Sequence, residues 1–148
     1  MRYLLDTNAI SKIYDKNAKE HTKILHRLAA LADSDEVAIS TLAIYELEYG
    51  WSNAPDSIKE VVRQKVSQAQ EDFAVVPIPL AGAPIFGHLK SRLRERRGVP
   101  QKTLQKHSVD LILAATCLVD QRTLVSSDTI FSELQNLEPA LAIEDWAK

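Results

Sequence analysis

Apolar and polar positions change rhythm repeatedly along the chain. Arg2 to Leu5, Val37 to Ser40, Ala74 to Ile78, Thr123 to Ser126 and Ala140 to Ile143 are apolar runs too short for helices, and each reads as a strand. The stretches between them carry helical spacing. These are Thr7 to Tyr14, Glu20 to Ala32, Thr41 to Trp51, Asp56 to Phe73, Ala83 to Arg97, Ser108 to Asp120 and Ile130 to Leu137. In the second of these, Ile24, Leu28, Leu31 and Ala32 share one face. Ser57 followed by Glu60 has the form of a capping box. Prolines close the Ala74 strand, and Gly98 with Pro100 stops the helix begun at Ala83. The Ser108 to Asp120 helix is apolar almost all round and predicts burial on several sides. Gly98 to Lys106 is expected to be the mobile loop. Strands alternating with helices predict an α/β fold, a mostly parallel central sheet with helices on both faces.

Length and composition fit one domain with a real core: 148 residues, 45% hydrophobic and 26% charged,. A net charge of −2 gives no global electrostatic case for nucleic acid. The distribution changes that picture locally, because Lys90, Arg92, Arg94, Arg96, Arg97, Lys102 and Lys106 hold seven of the 18 basic residues against Glu95 alone. Lysine and arginine there would neutralise phosphates without reading sequence. A solvated face is the plainer reading, with Ile85, Phe86, Leu89 and Leu93 as the buried stripe. The single cysteine, Cys117, excludes an internal disulfide and reads as a small buried hydrophobe. Asp6 interrupts the start before a secretory apolar region develops, and Leu111 to Val119 is too short to span a bilayer. A cytoplasmic protein is expected, without membrane partners.

Candidate chemistry lies with four acids. Asp6 ends the first strand and Asp128 follows the Thr123 strand, so a parallel sheet would bring both to its carboxyl edge, where such sheets bind ligands. Asp110 opens an apolar helix, and Glu46 lies in the largely apolar Leu42-Ala43-Ile44-Tyr45-Glu46-Leu47; Glu48 falls on another face. Taken singly, each has an ordinary role. Asp6 and Asp128 would serve as helix N-caps, Asp110 as a first-turn carboxylate, and Glu46 as a solvated residue. Taken together, carboxylates in apolar settings require a cation, and oxygen ligands without His or Cys select Mg²⁺ or Mn²⁺. His21, His26, His88 and His107 lack metal-ligand spacing and read as surface or interface residues, with His107, three residues before Asp110, the one that could lie near the mouth of such a site. Tyr45, Tyr49 and Trp51 would stack on bases or, more in keeping with an apolar helix, pack in the core or a subunit interface. Trp146 is expected to be a packing anchor.

The chain resembles PIN-domain ribonucleases, and among them the toxins of VapBC-type toxin–antitoxin pairs. The elements that carry the likeness are Leu4-Leu5-Asp6-Thr7-Asn8, Ile39-Ser40 leading to Glu46-Leu47 and Gly50, Asp110-Leu111-Ile112-Leu113-Ala114-Ala115, and Leu124-Val125-Ser126-Ser127-Asp128 with Phe131. Ala43 and Ser126 stand where the family commonly has threonine. The resemblance implies a PIN-like three-layer α/β/α fold in a single domain spanning residues 1–148. It implies that Asp6, Glu46, Asp110 and Asp128 hold one or two Mg²⁺ or Mn²⁺ ions for hydrolysis of RNA phosphodiesters, with Asn8 and Ser126 orienting them. It implies a VapB-like antitoxin as partner and a homodimer. The stretch containing Arg92, Arg94, Arg96 and Arg97 is a candidate RNA contact. The alternative is a catalytically weak module whose acidic pocket mainly binds a basic partner segment. Two other enzyme readings fit less well. A haloacid-dehalogenase-like phosphatase would carry Asp-x-Asp where Thr7 and Asn8 follow Asp6, and a receiver domain would carry a late lysine near Ser126-Ser127-Asp128.

Overall fold

The computed structural model describes residues 1–148. Five strands form one sheet in the order β3-β2-β1-β4-β5, and every pair is parallel. They are β1 (Arg2–Leu5), β2 (Glu36–Ser40), β3 (Ala74–Val76), β4 (Thr123–Val125) and β5 (Ile143–Glu144). The expectation of a mostly parallel sheet is therefore met in full.

Side chains alternate across the sheet with the strand period of two. Leu4 is level with Ala38 and Leu124 in the two neighbouring strands. These three join a core with Leu89, Leu93, Leu113 and Phe131. Tyr3, Leu5, Ile39 and Val125 point the other way, toward Ile10, Ile24 and Ala69. The two cores divide the helices: α1 (Thr7–Ile13), α2 (His21–Ala29), α3 (Thr41–Ser52) and α4 (Lys59–Asp72) on one face, α5 (Ala83–Arg97), α6 (Ser108–Asp120) and α7 (Thr129–Leu137) on the other. Three layers result. The chain runs outward from β1 through β2 to β3, then returns to the opposite side of β1 as β4. That reversal makes the ends of β1 and β4 the switch point of the sheet, the place where such sheets bind ligands.

Several expectations give way. Ser57 caps nothing: α4 starts at Lys59, the cap position is Ile58, and no side chain bonds to the free N–H groups. The supposed mobile loop is ordered into 3-10 turns over Gln101–His107, because Leu104 is fully buried and pins it to the core. The last strand lies at Ile143–Glu144, not Ala140–Ile143, since Leu141 turns into the core instead of pairing. Cys117 is buried, and burial pushes its thiol up to about 12, which leaves it chemically quiet,. Trp146 is buried edge-on to Tyr3, the packing anchor expected of it. No helix is long and apolar enough to cross a membrane.

Candidate active site

Asp6 leaves the end of β1 and takes the N-cap position of α1. Its Oδ1 accepts from the Ala9 N–H at 2.7 Å, and its Oδ2 accepts from the Ser126 hydroxyl at 2.5 Å. The side chain is only 5% exposed. Burial raises its pKa above the ordinary carboxylate value, and Asp128 adds repulsion against the pull of Ser126, Ala9 and Lys12,. Ser126, also buried, serves two acids at once: its hydroxyl oxygen accepts from the Asp128 N–H at 3.0 Å. Asp128 is exposed and caps α7, accepting from the Ile130 N–H at 3.1 Å. The ordinary capping roles of Asp6 and Asp128 are thus real, and they coexist with the placement at the sheet edge.

Asp110 lies half-buried in the first turn of α6, where the helix dipole favours negative charge,. Burial nevertheless raises its pKa, with Asp128 and then Glu46 adding repulsion and His107 opposing them. Glu46 sits in the second turn of α3 and accepts a short hydrogen bond from the Thr7 hydroxyl. The four acids are therefore linked electrically, Asp6 to Asp128, Asp128 to Asp110, and Asp110 to Glu46. They do not converge on one spot. No three of the His, Cys, Asp and Glu side chains are grouped closely enough to hold a metal ion as they stand. Asp6, Glu46 and Asp128 each accept instead from a donor close by, Ala9 and Ser126, Thr7, and Ile130 respectively. The donor set still suits a hard divalent cation, since all four acids offer oxygen alone and Asp6 and Asp110 are ionised only against a burial penalty,.

Asn8 is exposed and bonds to none of the acids; its neighbour Thr7 makes the contact instead. Thr7 opens onto a groove of about 320 Å³ lined by Glu46, Ile10, Tyr14, Gly50 and Lys65. On α5, Leu89 and Leu93 form the buried stripe, and Arg94 and Arg96 are exposed with Arg92 partly so. Arg97 departs from the expected surface role, because Glu133 holds it in a two-pronged ion pair. Its αL neighbour Gly98, at φ 62°, ends the helix there,. Core packing does not account for Tyr45 and Tyr49, which are 76% and 73% exposed. Trp51 instead lies beneath Lys59 and Arg63. Sequence reading missed Thr7 and the Arg97–His107–Glu133 contacts. A hydroxyl directly after Asp6 was a usable signal for the first; nothing in the spacing marked the second.

The sheet order and the acids along its carboxyl edge define an α/β protein with acidic side chains at its switch point. The family model of the PIN domain matches residues 3–137, and the chain belongs to the PIN domain family. It is 26% identical over 148 residues to Ribonuclease VapC2 of Rickettsia felis, with both chains covered completely. Its fold is similar to that in the DNA-bound VapBC2 structure from Rickettsia felis, at 24% identity, TM-score 0.78 and 99% of each chain. VapBC-1 from nontypeable Haemophilus influenzae gives 20% identity and a TM-score of 0.76 over 100% of each chain. FitAcB from Neisseria gonorrhoeae gives 21% and 0.74 over 97% of each.

Proposed function

We propose that this protein is a metal-dependent endoribonuclease, the toxin of a type II toxin–antitoxin pair. One observation carries the reading: two buried or half-buried acids, Asp6 and Asp110, are set against a third, Asp128, with His107 as the only basic side chain within 4 Å of any of the four. A cleft so charged attracts a cation. Asp6, Glu46, Asp110 and Asp128 would hold Mg²⁺ or Mn²⁺, which supplies the positive charge that in-line phosphodiester attack needs and acidifies water. Ser126 holds Asp6 and the backbone of Asp128 in register, and Thr7 holds Glu46. The exposed Arg94 and Arg96, with Arg92, draw the RNA backbone toward the cleft,. Charge reversal of Arg94 and Arg96 should weaken RNA binding and reduce the slope of log affinity against log salt by about one per lost phosphate contact; unchanged affinity in filter binding would remove that role.

Likeness to Ribonuclease VapC2 and to the solved VapBC assemblies supports the same reading. It carries with it a VapB-like antitoxin, a homodimer and a cytoplasmic site of action. An antitoxin's basic side chain would compete with the cation for the same acids, which is also how the alternative, a binding module with little catalysis, would use them. Cleavage of RNA by the purified, partner-free protein separates the two. Cleavage should require added Mg²⁺ or Mn²⁺ and disappear in Asp6→Asn and Asp110→Asn. Equal behaviour of wild type and both variants would leave only the binding module.

A further inference from the structure

Around Asp110 three neighbouring elements join through a chain of polar contacts that the nuclease reading leaves unused. Glu133, on α7, receives Arg97 Nε at 2.9 Å and Nη2 at 2.6 Å on its two carboxylate oxygens. A bidentate pair of this kind fixes the guanidinium plane in rotation as well as position. The remaining nitrogen, Nη1, lies 3.0 Å from His107 Nε2. A guanidinium only donates, so Nε2 has to accept. A neutral imidazole has one N–H to place, and it falls on Nδ1. Nδ1 is the atom that faces Asp110, 3.5 Å from its Oδ2. The opposite tautomer would set Nε2–H against an arginine N–H and turn a lone pair toward the carboxylate.

We propose that Glu133, Arg97 and His107 are positioning residues that fix His107 as an Nδ1–H donor toward Asp110 and so aim that carboxylate into the cleft. The inference rests on the reading of Asp110 as a cation-holding acid. Its mounting is rigid at each step. Arg97 stands in the last turn of α5, immediately before the Gly98 turn, and His107 directly precedes α6 at the end of the stretch pinned by Leu104. The side chains of Arg97, Glu133 and His107 are 27%, 25% and 16% exposed, sheltered enough for the contacts to persist. Arg97 also holds the Glu133 carboxyl below the ordinary carboxylate range, which keeps the anchor charged. Outer partners of this sort commonly set the orientation of metal-holding groups.

Nitrogen-15 NMR of the imidazole rings reads the tautomer in the free protein, with neither metal nor RNA present. Wild-type His107 should carry its proton on Nδ1, and Arg97→Gln should release it to a mixture of tautomers. Mn²⁺ titration calorimetry and RNA cleavage then compare the wild type with Arg97→Gln, His107→Asn and His107→Gln. The Asn amide N–H falls near the Nδ1 position and should retain near wild-type Mn²⁺ affinity; the Gln amide falls near Nε2 and should not. Arg97→Gln and His107→Gln should each lose about 10- to 100-fold in Mn²⁺ affinity or cleavage. A wild-type His107 protonated on Nε2, or unchanged Mn²⁺ affinity in His107→Gln, would overturn the relay. If Arg97→Gln fails to fold, the wild-type tautomer and the His107 pair still decide. If the wild type cleaves no RNA, the nuclease reading falls, while the tautomer and the Mn²⁺ titration continue to judge the relay.

Discussion

At the amino edge of the sheet, Glu36 and Asp120 stand beside arginines supplied by the chain itself. Arg122 Nη2 is 3.2 Å from Glu36 and its Nε is 3.9 Å from Asp120; Arg2 is 3.6 Å from Glu36 and donates to the Asp120 carbonyl at 2.6 Å. At the carboxyl edge, Asp6, Glu46 and Asp128 have no basic nitrogen within 4 Å, and Asp110 has only His107. The same sheet thus closes its charge internally at one end and leaves it open at the other. Acids whose counter-charges are built in belong to the fold. Acids left without a built-in counter-charge keep a place for something from outside.

The widest separation between the two edges should be in catalysis. Glu46→Gln and Asp128→Asn should cut Mg²⁺-dependent RNA cleavage by well over the roughly hundredfold that outer partners of metal-holding groups cost. Asp120→Asn should leave the rate unchanged. Equal losses at both edges, measured by initial rates, would erase the distinction.

Stability against pH gives a smaller effect with a definite sign. Asp6 and Asp110 have folded pKa values above the ordinary 3.8, mainly through burial. In the window between 3.8 and the raised values, the metal-free folded state binds more protons than the unfolded chain. Its stability therefore falls as pH rises through that window, and acidification restores it. Mg²⁺ favours the ionised form, so the Tm gain from Mg²⁺ should grow from acid to neutral pH. Asp6→Asn keeps a competent helix cap and removes the repulsion. It should raise metal-free stability by about 0.5–2 kcal/mol, within the range of other single stabilising changes, and shrink the Mg²⁺ response. Thermal melts that show a pH-independent Mg²⁺ gain would count against a shared charge cluster.

The smallest effect is expected at the amino edge. Arg122 is 5% exposed, and its Nε and Nη1 make no hydrogen bond. Unmet donors offset what the Glu36 contact contributes, and an apolar side chain of similar size often replaces such a group at little cost. Arg122→Met should shift stability in urea by less than about 1 kcal/mol. A large loss would mean that the arginine holds this edge together after all.

The layered fold was legible because each strand is a short apolar run and most helices carry an apolar face; Leu4, Leu89 and Leu93 are buried where that pattern puts them. Local exceptions came from tertiary packing. Leu104, alone among polar neighbours, converts an apparent loop into ordered turns, and Ser57 loses its capping role because α4 begins two residues beyond it. Strand ends located Asp6 and Asp128 at one edge, apolar helix settings singled out Asp110 and Glu46, and helical spacing separated Glu46 from Glu48, which pairs with Arg63. What stayed hidden depended on side-chain direction between distant elements. Neither the turn of Thr7 toward Glu46 nor the capture of Arg97 by Glu133 follows from residue spacing.

The acids of the cleft are scattered along nearly the whole chain, and Ser126 joins Asp6 across 120 positions. The backbone N–H of Asp6 also leans on the Val125 carbonyl, at the end of the strand that pairs beside β1. On that side β1 has no strand partner but β4. A nascent or truncated chain ending before Thr123 has Asp6, Glu46 and Asp110 but no wall against which to set them. The acidic edge is thus a long-range construction, held by contacts between segments more than a hundred residues apart rather than by any one local motif.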